Sequence, residues 1–333
     1  MKLSAIISTL VGLAIALGLI AMNGFAEIGQ AILMAGWGIL FVIALHVPQM
    51  IFSSQAWRQV VPADGVPGLP AFVGLRLIRE GVNALLPVAQ IGGEFVAARL
   101  MGLRGIPLSA AGASVTVDLT LEMLSQVIFT LFGLGLLLVG PQDPQITQWI
   151  LHGVVIALAI LAAFVLAQRW GLLRLLERGL LKLSERQHWK GLEDIAGLHQ
   201  AILSLYRSPR RLVFGTANHV MSWLLGGLEV WAALLVLGHP VGWREALIIE
   251  SLGQAFRSLG FAVPGALGIQ EGGLVLVCGL LGMSPNAAIE LSLLKRVREL
   301  ALGLPGLLAW QWMEKRGRSD PEPARDAFSE KTP

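Results

Sequence analysis

Val263-Pro264-Gly265-Ala266-Leu267-Gly268-Ile269-Gln270-Glu271-Gly272-Gly273 is a glycine-rich break that carries a carboxylate, set between segments apolar enough to cross a bilayer. An earlier stretch, Leu86-Pro87-Val88-Ala89-Gln90-Ile91-Gly92-Gly93-Glu94, has the same make-up. A shift of 177 positions lays Pro87 on Pro264, Glu94 on Glu271, Gly102 on Gly279 and Leu103 on Leu280. It also lays Gly105 on Gly282, Ala110-Ala111 on Ala287-Ala288 and Glu122 on Glu299. One coincidence of Pro or Gly is expected by chance in a chain with 39 glycines and 16 prolines, but so many in one register are not. They read as a degenerate internal repeat, with motifs near 79–122 and 256–299.

The physics of such a break is restrictive. In hydrocarbon every backbone N–H and C=O needs a partner, so an interrupted helix survives only inside protein or beside a wet cavity. An ionisable side chain at that depth must be paired or hydrated, and marks a functional site by default. Paired Gly/Pro-interrupted segments in two halves of a membrane protein point to a transported substrate's site. Two tight turns with snorkelling glutamates are the plainer alternative.

Composition bounds the class. Hydrophobic residues make up 55% of the 333, charged residues 14%, and mean hydropathy is +0.69. Apolar runs of about 20 residues read as membrane helices, so the chain is predicted to be an all-α polytopic membrane bundle. A net charge of +3 is too small to suggest nucleic acid. The single cysteine, Cys278, excludes an intramolecular disulfide and any cysteine-rich metal site, and reads as a small apolar helix residue.

Seven or eight spans are expected. Leu3–Met22 follows Lys2 and lacks a small-x-small cleavage site before Glu27, so it reads as an uncleaved first span. Ile32–Phe52 is the second, and the basic-free loop 23–30 between them puts the N-terminus in the cytoplasm. Residues 53–70 form a cytoplasmic loop. Stretch 71–104 is too polar for lipid and too apolar for water, which fits re-entrant half-helices hinged at Pro87, Gly92 and Gly93. Within it Arg76 and Glu80, and Arg79 and Asn83, are spaced to pair on a helix.

Leu108–Val139 and Trp149–Ala167 are further spans. Residues 169–211 hold nine Lys/Arg against four acids with leucines interleaved, an amphipathic cytoplasmic segment or an ordinary basic loop. Leu212–Leu237, Ala246–Val263 and Ile289–Trp312 complete the bundle, with hinges at Pro264, Gly265 and Gly268. Trp310 and Trp312 suit an interfacial belt, and Lys315-Arg316 and Arg318 mark a cytoplasmic end. A single membrane domain is thus expected over 1–315, followed by a disordered tail at 316–333. If 264–282 crosses the membrane there are eight spans; if it is a hairpin there are seven, with the basic tail outside. The repeats are inverted only if an odd number of crossings separates them.

Enzymatic constellations are scarce. The six histidines have no metal-ligand spacing, the glycines of 265–273 do not follow a nucleotide-binding pattern, and there is no P-loop lysine or nucleophile elbow. No catalytic residue, metal or cofactor is assigned. The remaining chemistry lies in charges at membrane depth. Glu94 and Glu271 follow the breaks, where the next half-helix offers its N-terminal dipole. They suit a cationic head group or proton exchange. Arg257 precedes the second break, with Glu250 and Gln254 on roughly the same face, and Arg79 and Arg99 flank the first. Arginine's planar fork suits phosphate or carboxylate. Arg79, Asn83, Glu94, Arg99, Arg257 and Glu271 are therefore the candidate substrate-binding residues, with Asp118 and Glu122 as a secondary polar face. Mutual neutralisation between these Glu and Arg residues is the competing reading.

The run Asn83-Ala84-Leu85-Leu86-Pro87 through Gly93-Glu94 and Arg99, then Asp118 to Glu122, then Pro264-Gly265-Ala266-Leu267-Gly268 with Glu271, resembles the flippase-like membrane region of lysylphosphatidylglycerol synthases. Within that group it looks most like the stand-alone hopanoid-biosynthesis-associated membrane proteins of bacteria. One departure is Met123 after Glu122, where the family often has Arg. The resemblance covers residues 1–315 and implies a multi-pass inner-membrane protein that moves or handles lipids such as hopanoids or aminoacylated phospholipids. It does not imply aminoacyl-lipid synthesis, which in the two-part synthases belongs to a soluble acyltransferase domain. Membrane lipids, and lipid-biosynthetic enzymes recruited through 169–211, are the expected partners. A membrane-embedded head-group transferase and a scaffold stand as alternatives.

Overall fold

The computed structural model describes residues 35–62, 65–86, 92–139, 197–260 and 268–319, with isolated positions 33, 148, 155, 159, 162, 163, 166 and 266. The expected spans Leu3–Met22 and Trp149–Ala167, most of the basic segment 169–211, the hinges Pro87, Pro264 and Gly265, and the tail past 319 lie outside the described residues. Among the described residues every element is helical: α1 (Gly38–Gln59), α2 (Leu69–Leu85), α3 (Gly92–Gly102), α4 (Leu108–Leu138), α5 (Leu198–Tyr206), α6 (Pro209–Val236), α7 (Trp243–Leu259), α8 (Ile269–Leu280) and α9 (Pro285–Ser319).

Three of these, α1, α4 and α6, are long and apolar enough to cross a bilayer. Their outward faces carry Phe41, Phe132 and Phe214, while Gln49, Asp118, His219 and Glu229 are buried inside. Apolar outside and polar within is the reverse of a water-soluble bundle, and it is the arrangement lipid demands. By contrast, α3 and α8 have 11 and 12 residues. At 1.5 Å per residue each is about 17 Å long, roughly half the hydrocarbon thickness.

Local chemistry starts the helices. Pro70 and Pro209 occupy the first turns of α2 and α6, where the missing N–H costs nothing. Ser284 accepts the Ala287 N–H at the head of α9. α1 begins and ends later than the span expected at Ile32–Phe52, and takes Arg58 out of the expected loop 53–70. It continues because Ser53 bonds Ser222 of α6 at 2.9 Å and Trp57 is sealed between Phe72 and Ser114. The helix α5 and the start of α6 likewise occupy the last part of the expected segment 169–211. α7 ends at Leu259, short of Val263, and α9 runs past 315 to Ser319.

The centre of the bundle is the pair α1 and α6. Gly38 faces Val236, His46 meets Glu229, Ser53 meets Ser222 and Gly215 faces Ala56, so the two run antiparallel. α2 packs antiparallel on α9, Gly74 facing Met313 and Gly81 facing Gly303. A β-carbon at Gly81 would lie 2.7 Å from the Gly303 carbonyl oxygen, so both glycines are needed for the backbones to approach. α4 packs antiparallel on α7, with Gln126 on Ser258 and Arg244 on the Leu136 carbonyl.

By position in the chain the helices form a first set, α1 to α4, and a second set, α6 to α9, and some landmarks recur between them. Starting points Gly92 and Ile269, and Leu108 and Pro285, are each 177 positions apart, as are the ends of α1 and α6 at Gln59 and Val236. The turns after α3 and α8 agree bond for bond: Arg104 and Ile106 donate to the Met101 carbonyl as Leu281 and Met283 donate to that of Cys278. Gly105 and Gly282 both adopt positive φ, +84° and +74°, a conformation that favours glycine. Two apolar cores accompany the sets. One joins Trp57, Phe72, Leu100, Val117 and Ile202; the other joins Val42, Leu234, Ile249, Leu274 and Leu291.

Candidate functional site

Charged and histidine side chains from eight helices form one connected structure. In the first set Arg79 of α2 is the hub. Its Nε donates to Glu94 at 2.7 Å, its Nη1 to Asp118 at 2.6 Å and its Nη2 to Glu122 at 2.9 Å. Trp57 lies 5.9 Å below the guanidinium. Arg76, one turn earlier, donates to Glu122 at 2.7 Å and to Glu80 at 2.8 Å. Asp118 is fully buried and is also met by His219 at 2.9 Å. Four carboxylates here share two guanidinium groups. Planar forks can serve several carboxylates at once, which a lysine ammonium would do less well.

Asn83 closes the break between α2 and α3. Its amide nitrogen donates to both oxygens of Glu94 at 3.1 Å, and its oxygen accepts the Gly93 N–H at 2.8 Å. Arg79 and Asn83, spaced to pair with each other, instead converge on Glu94. A β-carbon on Gly93 would collide with the Arg79 carbonyl, so the glycine lets α3 approach closely enough to deliver Glu94.

The second set is built differently. Glu271 accepts the Gly268 N–H at 2.7 Å, capping α8, and takes Ser292 at 3.1 Å and Arg296 at 3.2 Å. Gly268 holds φ at +79° at the head of that helix. Arg257 donates to Gln270 and Glu299, Arg296 to Glu299 at 3.0 Å, and Lys295 to Glu250. Gln254 also donates to Glu250, at 2.8 Å. Four cations and four carboxylates balance here, counting the Arg298–Glu229 pair that leads to the other set.

His46 joins the halves. Its Nε2 sits 3.2 Å from Glu80 and its Nδ1 3.0 Å from Glu229, which also pairs with Arg298 and Gln49. An unbroken series of ion pairs, bridged at His46 by hydrogen bonds, therefore runs Glu94–Arg79–Glu122–Arg76–Glu80–His46–Glu229–Arg298–Glu299–Arg257. Arg296 extends it to Glu271. Glu94 and Glu271 thus belong to one network without touching.

Of the residues singled out from sequence, Arg79, Asn83, Glu94, Asp118 and Glu122 come together, and Arg257 and Glu271 belong to the other end. Arg99 does not join them. It is 57% exposed and clamps Glu314 of α9 at 2.7 Å. The sequence reading missed His46, Glu80, His219, Glu229, Gln270, Lys295, Arg296 and Arg298 as site members. Glu229, alone in an apolar span, and the Lys295–Glu299 charges inside the last span were visible signals under the rule that intramembrane charges are functional. His46 and His219 lie in expected spans and carry the same signal, but tertiary packing alone supplies their partners. Among the described residues no group of His, Cys, Asp and Glu is arranged to hold a metal ion.

No curated protein and no solved structure matches the chain. The sequence pattern of one family, described as the lysylphosphatidylglycerol synthase TM region, matches residues 9–306. That match spans most of the chain and takes in α1 to α8 and most of α9, so this membrane protein belongs to the family of the lysylphosphatidylglycerol synthase transmembrane region.

Proposed function

We propose that the chain is a bacterial inner-membrane protein that translocates or handles polar-headed lipids, hopanoids or others, and is built as an inverted repeat. The observation that carries the reading is the largely buried series of ion pairs and hydrogen bonds from Glu94 to Arg257 within helices whose outer faces are apolar. Moving a lipid between leaflets is slow because its head group must leave water for hydrocarbon. A polar seam through the bundle lowers that cost by offering charges and hydrogen-bonding groups along the way.

The inverted repeat is supported by the 177-position match of helix ends and turns, and by the antiparallel run of α1 against α6. The short helices α3 and α8 fit re-entrant half-helices within it. Arg58 ends α1, Arg210 and Arg211 begin α6, and the antiparallel pairing puts these basic ends together. Under the positive-inside rule that side is cytoplasmic. Gly74 facing Met313 brings the end of α9 to the same side, so the C-terminus is cytoplasmic as well.

The transferase alternative would need Glu94 or Glu271 free as base, whereas Glu94 is engaged by Arg79 and Asn83, and Glu271 by Gly268, Ser292 and Arg296. Reconstitution into liposomes with leaflet-labelled hopanoid or phospholipid tests translocation. Protein-dependent movement of at least one class, lowered by cutting the seam with Glu229→Gln, is expected. Movement of neither class, under pH or potential gradients, overturns the proposal.

A further inference from the structure

Where α7, α8 and α9 meet, Gln254, Arg257, Gln270, Lys295 and Arg298 line a small, partly open cavity with enclosed room for about one water-sized group. Its chemistry is lopsided. Gln270 is 3% exposed, and its orientation is fixed because Arg257 donates to its side-chain oxygen. The amide nitrogen, Nε2, is then left buried with no acceptor among the described residues. Arg298 is 8% exposed, and its Nε is likewise buried without an acceptor. Buried donors without partners are uncommon, and each carries an uncompensated desolvation cost until an acceptor arrives.

The carboxylates nearby do not fill this need. Glu250 is taken by Lys295 and Gln254, Glu229 by Arg298, Gln49 and His46, and Glu299 by Arg257 and Arg296. They hold the cations in place and leave the Gln270 Nε2 and Arg298 Nε without acceptors, on residues that line the cavity. At the corresponding positions of the first set, 177 residues earlier, Gln270, Arg257 and Lys295 are replaced by Gly93, Glu80 and Asp118. The donor pocket is therefore a property of the second set alone.

We infer that this cavity is an anion subsite that receives one oxygen of a phosphate group, carried by a phospholipid head or as free phosphate. For the phospholipid source the inference rests on the lipid-handling reading; the donor chemistry does not depend on it. One oxygen is received by the Gln270 amide and the Arg298 Nε, and Arg257 and Lys295, which also line the cavity, supply positive charge for the rest of the phosphate. Guanidinium N–H groups form strong charge-assisted bonds to phosphate oxygens, and the amide adds a neutral donor beside them.

The test uses full-length protein in detergent and equilibrium binding, with no transport step. Native mass spectrometry compares retention of phosphatidylglycerol and diacylglycerol from the same mixture, and inorganic phosphate is added as competitor. The wild type should prefer phosphatidylglycerol. Gln270→Glu, which puts a carboxylate into the cavity, and Arg257→Gln should each lower that preference about tenfold, equivalent to about 1.4 kcal/mol. Because the readout is a ratio, a misfolded variant loses both lipids together and is recognised. Competition by inorganic phosphate assigns the site to free phosphate as well; absence of competition with preference intact assigns it to the lipid head. No preference in the wild type together with no phosphate binding, or a preference untouched by both variants, overturns the subsite and means that it holds water only. Lipid movement in vesicles without this preference would leave lipid handling standing and remove the subsite, while preference without movement would do the reverse.

Discussion

Replacing Arg79 by methionine removes the hub of the first charged set without removing side-chain volume. Three carboxylates lose a partner: Glu94 at 2.7 Å, Asp118 at 2.6 Å and Glu122 at 2.9 Å. They do not lose equally. Glu122 keeps Arg76 at 2.7 Å and Asp118 keeps His219 at 2.9 Å, whereas Glu94 keeps only the neutral amide of Asn83. The cost is therefore dominated by one buried carboxylate without a cation, about 3–5 kcal/mol. Unfolding by denaturant in detergent micelles, followed by tryptophan fluorescence, measures it, and Trp57 beneath Arg79 supplies a local reporter. The double variant Arg79→Met/Glu94→Met should be more stable than Arg79→Met alone, because the stranded charge has gone with its partner. An Arg79→Met variant within about 0.5 kcal/mol of the wild type, which is the range of an ordinary surface change, would refute the reasoning. So would a cycle in which the two changes simply add.

Other consequences follow from particular contacts. Gly93→Ala drives a methyl into the Arg79 carbonyl and should destabilise by about 1–3 kcal/mol in the same unfolding assay, a backbone clash that no side-chain rotation relieves. Glu271→Gln should cost less than Glu94→Gln, about 1 kcal/mol, since Glu271 is partly exposed and still able to cap Gly268 with its amide oxygen. With Cys278→Ser as background, Ser53→Cys/Ser222→Cys should cross-link on mild oxidation, because the two Oγ atoms lie 2.9 Å apart; failure to form the bond on a gel-shift assay would contradict the antiparallel α1–α6 pairing. Gly81→Leu should separate α2 from α9 and lower thermal stability far more than Gly135→Leu, whose surroundings are open.

Much of the site was legible from residue type and spacing. Arg76 and Glu80 pair as their four-residue separation demands, and Asp118 and Glu122 share the face that a helical repeat assigns them. Such local relations survive folding because the helix sets them. Asn83 was legible as a polar partner but not for the partner it takes: spacing placed it beside Arg79, and the arrival of Glu94 on α3 gave both a stronger acceptor. Arg99 failed for a similar reason, because its helix turns it outward onto Glu314, over two hundred residues away in the chain.

Hydropathy alone determined that this chain belongs in a membrane, since so much apolar surface has no other stable place. The periodic recurrence of Pro, Gly and Glu determined where its helices are interrupted. Tertiary structure decided which charges meet, because a buried carboxylate is defined by the cation that reaches it, and those cations come from distant helices. Only the antiparallel contact of α1 and α6 brings His46 between Glu80 and Glu229 and makes two local clusters into one. Likewise, only the meeting of α7, α8 and α9 makes Gln270 and Arg298 line one cavity, and among the described residues nothing accepts the Gln270 amide or the Arg298 Nε.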